Sequence, residues 1–254
     1  MNIDAYLRRI LYSGPVAPTL ETLQALHQAH LLSVPFENLD IHWGRPIRLD
    51  TDSLFNKIVA NNRGGFCYEL NGLFGAMLRQ LGFEVTLLSA RVFNGEGVLG
   101  PEHDHLALMV KLDNQRWLAD VGFGDSSMIP LDLDVRTPQT DGRRKYRIEE
   151  RGSLWYVARL NDDNDWKDDF QFTVRPRTMA EFEETCRFHQ TSPQSPFTQR
   201  QVYSIATSTG RITLRGLPNE MKVITTLNGA KTESFLTNPA EIAAMLKDHF
   251  GIAQ

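Results

Sequence analysis

The chain has 254 residues, 41% hydrophobic and 23% charged, with 27 Lys and Arg against 31 Asp and Glu for a net charge of −4. That balance supplies no basic field for nucleic acid or an anionic membrane surface, and no apolar run approaches the roughly 18 residues that span a bilayer. Cys67 and Cys186 are too few for a disulfide framework and lack metal-knuckle spacing, and Asp4 spoils a leader-like N-terminus, so the expected compartment is the cytoplasm.

Taken in chain order, the first eighty residues read as helices. Ile3, Tyr6, Leu7, Ile10 and Leu11 recur at helical spacing until the stop at Ser13-Gly14-Pro15. Leu20, Leu23 and Leu26 follow, with Thr19 as the expected N-cap. A third pattern, Leu54, Phe55, Ile58 and Val59, starts near Asp52 and ends at Asn61-Asn62. The fourth is the clearest. Leu70, Leu73, Phe74, Met77, Leu78 and Leu81 repeat at three and four, and Gly82 stands where a helix favours a terminating glycine.

From Val85 the period changes to strands, in VTLLSARVF, HLALMVKL, RWLADVGF, KYRIEE and SLWYVARL. This predicts an antiparallel sheet or small barrel running to about Val174. A short helical pattern, MAEFEETCRF, lies near Thr178, followed by a polar loop, QTSPQSPFTQ, long enough to mark a boundary. VYSIAT, RITLRGL, KVITTL and TESFL predict further strands. Pro239 opens a last helix whose Ile242, Met245, Leu246 and Phe250 share a face. The expected divisions are 1–84, 85–190 and 191–254.

The stretch RGGFCYELNGLF, Arg63 to Phe74, sets Cys67 behind a glycine pair at the start of the fourth helical pattern. Helical spacing sends Cys67 along the face of Leu70, Phe74 and Leu78, as for a small packed hydrophobe. The same position lies in the helix's first turn, where unpaired N–H groups and the positive dipole end favour a thiolate. Gly64-Gly65 admit dihedrals that let the chain turn sharply into the helix. A nucleophilic thiolate also needs a proton acceptor, usually a histidine oriented by a carboxylate.

Of the seven histidines, His27, His30, His42, His189 and His249 read as surface or packing residues. His105 differs. HLALMVKL and QRWLADVG are separated by the turn-compatible pair Asp113-Asn114, which sets Leu112 opposite Gln115 and Ala107 opposite Asp120. His105, Ala107 and Asp120 then share one face, with His105 and Asp120 diagonal neighbours roughly 7–8 Å apart at Cα. An aspartate among Leu118, Ala119, Val121 and Gly122 needs such a partner if it is buried. His103 lies further out on the same face and ranks second, while Leu106, Leu108 and Val110 on the other face look like core.

Four segments together resemble the arylamine N-acetyltransferases: VPFENLDI (34–41), RGGFCYELNGLF (63–74), HLALMV from His105, and WLADVGFG (117–124). They occur in family order and at family-like separations across residues 1–130. The resemblance implies Cys67 as the acyl-accepting nucleophile, His105 as its base and Asp120 as the orienting acid. It also implies an α+β fold with an N-terminal helical bundle, a central antiparallel β-barrel, a C-terminal α/β lid and a thiol-protease-like catalytic core.

Phe123 and Gly124 match the family's aromatic and glycine where the acceptor amine docks, and Arg63 and Glu37 match its paired ions beneath the site. The implied reaction moves an acetyl group from acetyl-CoA to arylamines, N-hydroxyarylamines or arylhydrazines through an acetyl-cysteine. The partners are then small molecules, an amine or hydrazine and coenzyme A, with no metal and no permanently bound cofactor. The stretch HDHLAL departs from the family by carrying His103 beside His105. Neither a Walker-type loop nor a dinucleotide fingerprint is present to hold the coenzyme. An amide synthase of a biosynthetic pathway, a cysteine hydrolase with the same triad, and a binding module with an inert Cys67 are the competing readings.

Overall fold

The computed structural model describes residues 1–161 and 163–252. Helices α1 (Ile3–Arg9), α2 (Leu20–Ser33), α3 (Leu39–His42), α4 (Thr51–Phe55) and α5 (Cys67–Gln80) fill the N-terminal third, with strand β1 (Phe36–Glu37) between α2 and α3. Thr19 caps α2, its Oγ1 accepting from Thr22 N at 3.3 Å. Gly82 takes φ +93° just beyond α5, as its position predicts. The third pattern begins at Thr51, capped by Asp50, and continues as a π-helical turn over Asn56–Ala60. Leu11 departs from its expected core face. Helix α1 ends at Arg9, Leu11 turns left-handed at φ 55°, and its side chain is exposed.

Strands β2 (Glu84–Val92), β3 (His105–Leu112), β4 (Gln115–Ala119), β5 (Leu131–Asp132), β6 (Gln139–Thr140), β7 (Lys145–Arg151), β8 (Leu154–Leu160) and β9 (Trp166–Phe172) form one eight-stranded sheet. All its pairings are antiparallel, in the order β5-β4-β3-β2-β9-β8-β7-β6. The sheet curls into a nearly closed barrel. The Gln139 side chain joins its two ends, accepting from Asp132 N at 2.7 Å and donating to Asp132 O at 2.8 Å. Leu88, Ala107, Leu118, Ile148, Val157 and Phe170 are among the side chains that fill the inside.

The outer face of β3 packs on α5, so Leu106, Leu108 and Val110 join Leu70, Phe74 and Leu78 in a separate core. Burial on both faces explains why HLALMV reads as an almost unbroken apolar run. Strand β9 was not singled out from sequence because WKDDFQF sets Lys, Asp and Gln among its apolar residues. Strands β1, β5 and β6 are two residues each, too short to show a period.

A 3-10 turn at Met179–Phe182 leads into α6 (Glu183–Thr191), and α7 (Pro196–Gln199) lies inside the stretch expected to be a polar loop. Strands β10 (Gln201–Thr207), β11 (Gly210–Leu217), β12 (Glu220–Leu227) and β13 (Ala230–Leu236) follow, then α8 (Pro239–Phe250). The second sheet runs β1-β10-β11-β12-β13, so a strand from the N-terminal third becomes its edge. Helix α8 covers this sheet with Ile242, Leu246 and Phe250 against Tyr203, Leu214 and Val223. Among the described residues no helix is long and apolar enough to cross a membrane.

Candidate active site

Helix α5 starts at Cys67 itself, with Phe66 extended as its N-cap. The Glu69 carboxylate reaches back and accepts from Phe66 N at 3.1 Å. The glycine pair before it acts by size. Neither Gly64 nor Gly65 takes a positive φ, but a Cβ on Gly64 would collide with the Pro35 carbonyl and one on Gly65 would lie 2.7 Å from Glu69 Oε2. The expectation that these glycines supply unusual dihedrals is therefore corrected. Gly64 permits a close approach of the Pro35 backbone, and Gly65 leaves room for the Glu69 side chain.

Beneath this turn lies a buried ion network. Arg63 Nη2 is 2.7 Å from Glu37 Oε1 and 3.1 Å from Asp40 Oδ1, and Lys57 Nζ is 2.9 Å from Asp40 Oδ2 and 2.8 Å from Glu69 Oε1. Arg63 and Glu37 were expected as a pair; Asp40, Lys57 and Glu69 were not. Burial pushes the Glu69 carboxyl up to about 7, against the pull of Lys57. Burial would raise Asp40 too, but Lys57 and Arg63 hold it below its ordinary value. Every ion here faces a counter-ion, the condition for burying it.

Across from α5, β3 and β4 pair in the register expected from the Asp113-Asn114 turn, with Leu112 opposite Gln115 and Leu108 opposite Ala119. His105 opens β3, and Asp120 follows the last residue of β4. His105 Nε2 and Asp120 Oδ2 are 2.7 Å apart. With Nε2–H donating to the carboxylate, the lone pair sits on Nδ1. Asp120 Oδ1 accepts from Asn71 Nδ2 at 2.8 Å and from Gly122 N at 2.9 Å. Burial alone would raise Asp120; His105, Asn71 and the Gly122 amide together hold it below the usual carboxylate range.

Cys67 is 4% exposed, its sulfur 4.0 Å from the Asp104 carbonyl. Burial pushes the thiol well above its ordinary pKa, while a hydrogen bond from the Leu106 amide pulls the other way. The sulfur thus rests against the two backbone groups that flank His105. A thiol in this setting ionises only when a base takes its proton. Gly122 allows this closeness, since a Cβ there would lie 2.8 Å from Cys67 Cα. The structure therefore sets the Cys67 sulfur against the backbone on either side of His105, and the His105 ring on Asp120.

Phe123 lies beside them, its ring 5.4 Å from His105 and 5.2 Å from Phe170, and Gly124 follows at φ +83°. Both line a cleft of about 650 Å³ with Phe36, Phe197 and Ser204. Five cations, Arg143, Arg144, Arg159, Arg211 and Lys231, and one acid, Asp125, line the same cleft. Ser204 Oγ donates to the Gly124 carbonyl at 3.0 Å, and Arg211 donates to it as well.

Several neighbours escaped the sequence. His27 Nε2 accepts from the Asp120 amide at 3.1 Å, and its Nδ1 is 3.3 Å from the Met128 carbonyl. Burial lowers His27 to about 4, which suits a neutral acceptor. Asn71 bonds Asp120, the Leu106 carbonyl at 2.6 Å and the Val121 amide at 2.9 Å. Its place one turn after Cys67 on the buried face was the available signal. His103 does not continue the His105 strand. It takes φ 61° and its ring packs edge-on to Phe182 at 5.2 Å.

A family model described as N-acetyltransferase matches residues 19–253. The arylamine N-acetyltransferase of Gallus gallus called pineal gland isozyme NAT-10 is 33% identical, over 99% of this chain and 94% of that one. An arylamine N-acetyltransferase of Escherichia coli is 36% identical over 71% of this chain and 64% of its own. Among solved structures, that of a Mycobacterium smegmatis enzyme of this kind superposes with TM-score 0.91 at 33% identity, covering 99% of this chain and 93% of that one. A Mycobacterium marinum arylamine N-acetyltransferase, solved in complex with CoA, gives TM-score 0.89 at 29% identity, covering 99% and 93%. With a family model spanning nearly the whole chain and a relative 33% identical over 99% of it, the chain belongs to the arylamine N-acetyltransferases.

Proposed function

We propose that this chain transfers an acetyl group from acetyl-CoA to the nitrogen of arylamines, N-hydroxyarylamines or arylhydrazines, with Cys67 as nucleophile, His105 as general base and acid, and Asp120 as the residue that orients and charges His105. The observation that carries this reading is the Cys67 sulfur lodged between Asp104 O and the Leu106 amide, beside a His105 whose Nε2 is 2.7 Å from Asp120.

In the first half-reaction His105 Nδ1 takes the Cys67 proton and the sulfur attacks the thioester carbonyl. The C–S bond to coenzyme A breaks, and the coenzyme sulfur leaves with the proton from His105. In the second, a neutral aromatic amine attacks acetyl-Cys67. The C–N bond forms, the C–S bond to Cys67 breaks, and the amine proton passes through His105 to the departing sulfur. Amides in the first turn of α5 suit the oxyanion of both steps. Donor and acceptor use one site in turn, so the kinetics are ping-pong.

The cation-lined cleft suits the phosphates of the coenzyme, and its Phe123 and Gly124 end suits the acceptor ring. The relative from Mycobacterium marinum, crystallised with CoA, supports the same donor here. The residue divisions 1–84, 85–190 and 191–254 are proposed as bundle, barrel and lid, with the nucleophile on the first and its base and acid on the second.

Mass spectrometry after incubation with acetyl-CoA tests the reading. The expected result is one acetyl group on Cys67, released as the amide when an arylamine or hydrazine is added, and absent in Cys67→Ser. Rapid loss of the adduct to water with no acceptor present would assign a hydrolase, and no adduct on wild type would remove the transferase reading.

A further inference from the structure

Asp104, the residue before His105, is held from the far side of the site. The β2–β3 ladder stops at the Ala90–His105 pair, and His103 is turned left-handed, so strand pairing does not fix this end. Other contacts do. Asp104 Oδ1 lies 3.1 Å from His189 Nε2, and Oδ2 accepts from Val92 N at 3.4 Å. The Tyr68 hydroxyl donates toward the Asp104 carbonyl at 3.1 Å and the His103 carbonyl at 2.7 Å. That same Asp104 carbonyl is the one facing the Cys67 sulfur.

His189 belongs to α6 and is buried, edge-on to Phe197 at 5.2 Å and Phe188 at 5.4 Å. Its Nδ1 is 3.0 Å from Ser195 Oγ, which also accepts from Phe197 N at 3.2 Å. The Asp104 carboxylate can only accept, so Nε2–H donates to it; in the neutral ring Nδ1 then accepts from the Ser195 O–H. Serine, histidine and aspartate are connected here as in a hydrolytic triad, yet Ser195 is 0% exposed. No substrate reaches that hydroxyl, so nucleophilic catalysis is excluded and a mechanical use remains.

We infer that His189 is a positioning residue of the acyl-transfer site: through Asp104 it fixes the backbone of residues 104–106, which cradles the Cys67 sulfur and aims His105. This rests on the reading of Cys67 and His105 as nucleophile and base. A simple buried polar cluster satisfies its own atoms. This one also ties α6 to the one strand end where the base begins, and small displacements of reacting groups are costly.

The test compares His189→Leu, which removes the donor, with His189→Gln, whose amide can stand in for Nε2–H. Alkylation of Cys67 by iodoacetamide, followed peptide by peptide, reads the sulfur and its base without any acetyl donor. Thermal melts are recorded in parallel. The expected outcome is alkylation about 10–100-fold slower in His189→Leu, recovered for the most part in His189→Gln, with both variants melting cooperatively. Ser195→Ala reads the relay from its other end and replaces His189→Leu if that variant does not fold; it too is expected to slow alkylation.

Rates within about twofold of wild type in the folded variant overturn the inference. Equal losses in the leucine and glutamine variants overturn it as well, because they assign the effect to ring packing. A wild type that alkylates at Cys67 but accepts no acetyl group removes the transferase reading alone, and the alkylation rates still decide the relay.

Discussion

Two buried cysteines in one chain show what a neighbourhood adds to a residue. Burial pushes both thiols up, Cys186 to about 12. Cys186 has the side-chain amide of Gln190 at 3.3 Å, whereas the Cys67 sulfur lies against the backbone on either side of a histidine tied to an aspartate. The prediction at this scale concerns Asp120. Asp120→Asn keeps the side chain's shape but removes the charge that, on the proposed mechanism, steadies His105 as it takes the proton. Acetyl-enzyme formation is expected to slow by about 10²–10⁴-fold, read by rapid-quench mass spectrometry with circular dichroism as a fold control. A loss under about tenfold would make Asp120 a packing residue rather than part of the proton path. Asp120 was legible in the sequence because a lone carboxylate among Leu118, Ala119, Val121 and Gly122 must be paired. His27 was not, since its contact with the Asp120 amide spans 93 residues and leaves no local pattern.

The element that positions Cys67 is the N-terminus of α5. Its first residue is Cys67, its third is Glu69, and its fifth is Asn71, all facing buried partners. Glu69 gives this turn a pH dependence. Its carboxyl rises from 4.5 to about 7 on folding, so the folded state keeps a proton that the unfolded chain releases earlier. The stabilisation is fully present below about 4.5 and is lost as pH climbs toward 7. Thermal melts of wild type and Glu69→Gln across that window are expected to converge or cross in glutamine's favour as pH rises, by about 3 kcal/mol in all. A difference that stays flat with pH would mean that Lys57 keeps Glu69 ionised throughout. The helix was read correctly from its apolar spacing, and so was the β3–β4 register, because both are local. The ion network joins residues 37, 40, 57, 63 and 69, and their common burial came only with the packing of α3, α5 and the turn between them.

Across the whole molecule, the barrel and the second sheet are joined at the cleft. Arg143, in the turn before β7, donates to the carbonyls of Gly210 and Ser208 at 2.9 Å each, and also to that of Thr207. Asp125, just after Gly124, is held by Arg144, Arg159 and Arg211 at 2.6, 2.6 and 2.9 Å. Arg143→Ala is expected to lower the melting temperature by about 2–4 °C. An unchanged melting curve would mean that the Arg143 contacts do not help to hold the two sheets together. Strand β1 makes a second junction, pairing Phe36 with Ser204 and Glu37 with Tyr203, so the segment carrying the buried Glu37 also edges the second sheet.

The sequence by itself determined the helix that begins at Cys67, the strand that opens at His105, the strand that ends one residue before Asp120 (where RWLADVGF was expected to run on), the closeness of His105 to Asp120, and the family. These depend on period, on turn chemistry and on short motifs, which are properties of neighbouring residues. Tertiary structure alone decided that Gly64 and Gly65 serve by size, that His103 turns away, that β1 completes the second sheet, and that His27, Asn71 and His189 brace the site. Those outcomes depend on which buried polar atom meets which across long stretches of chain. Every such atom must find a partner, but the sequence around it does not say from where.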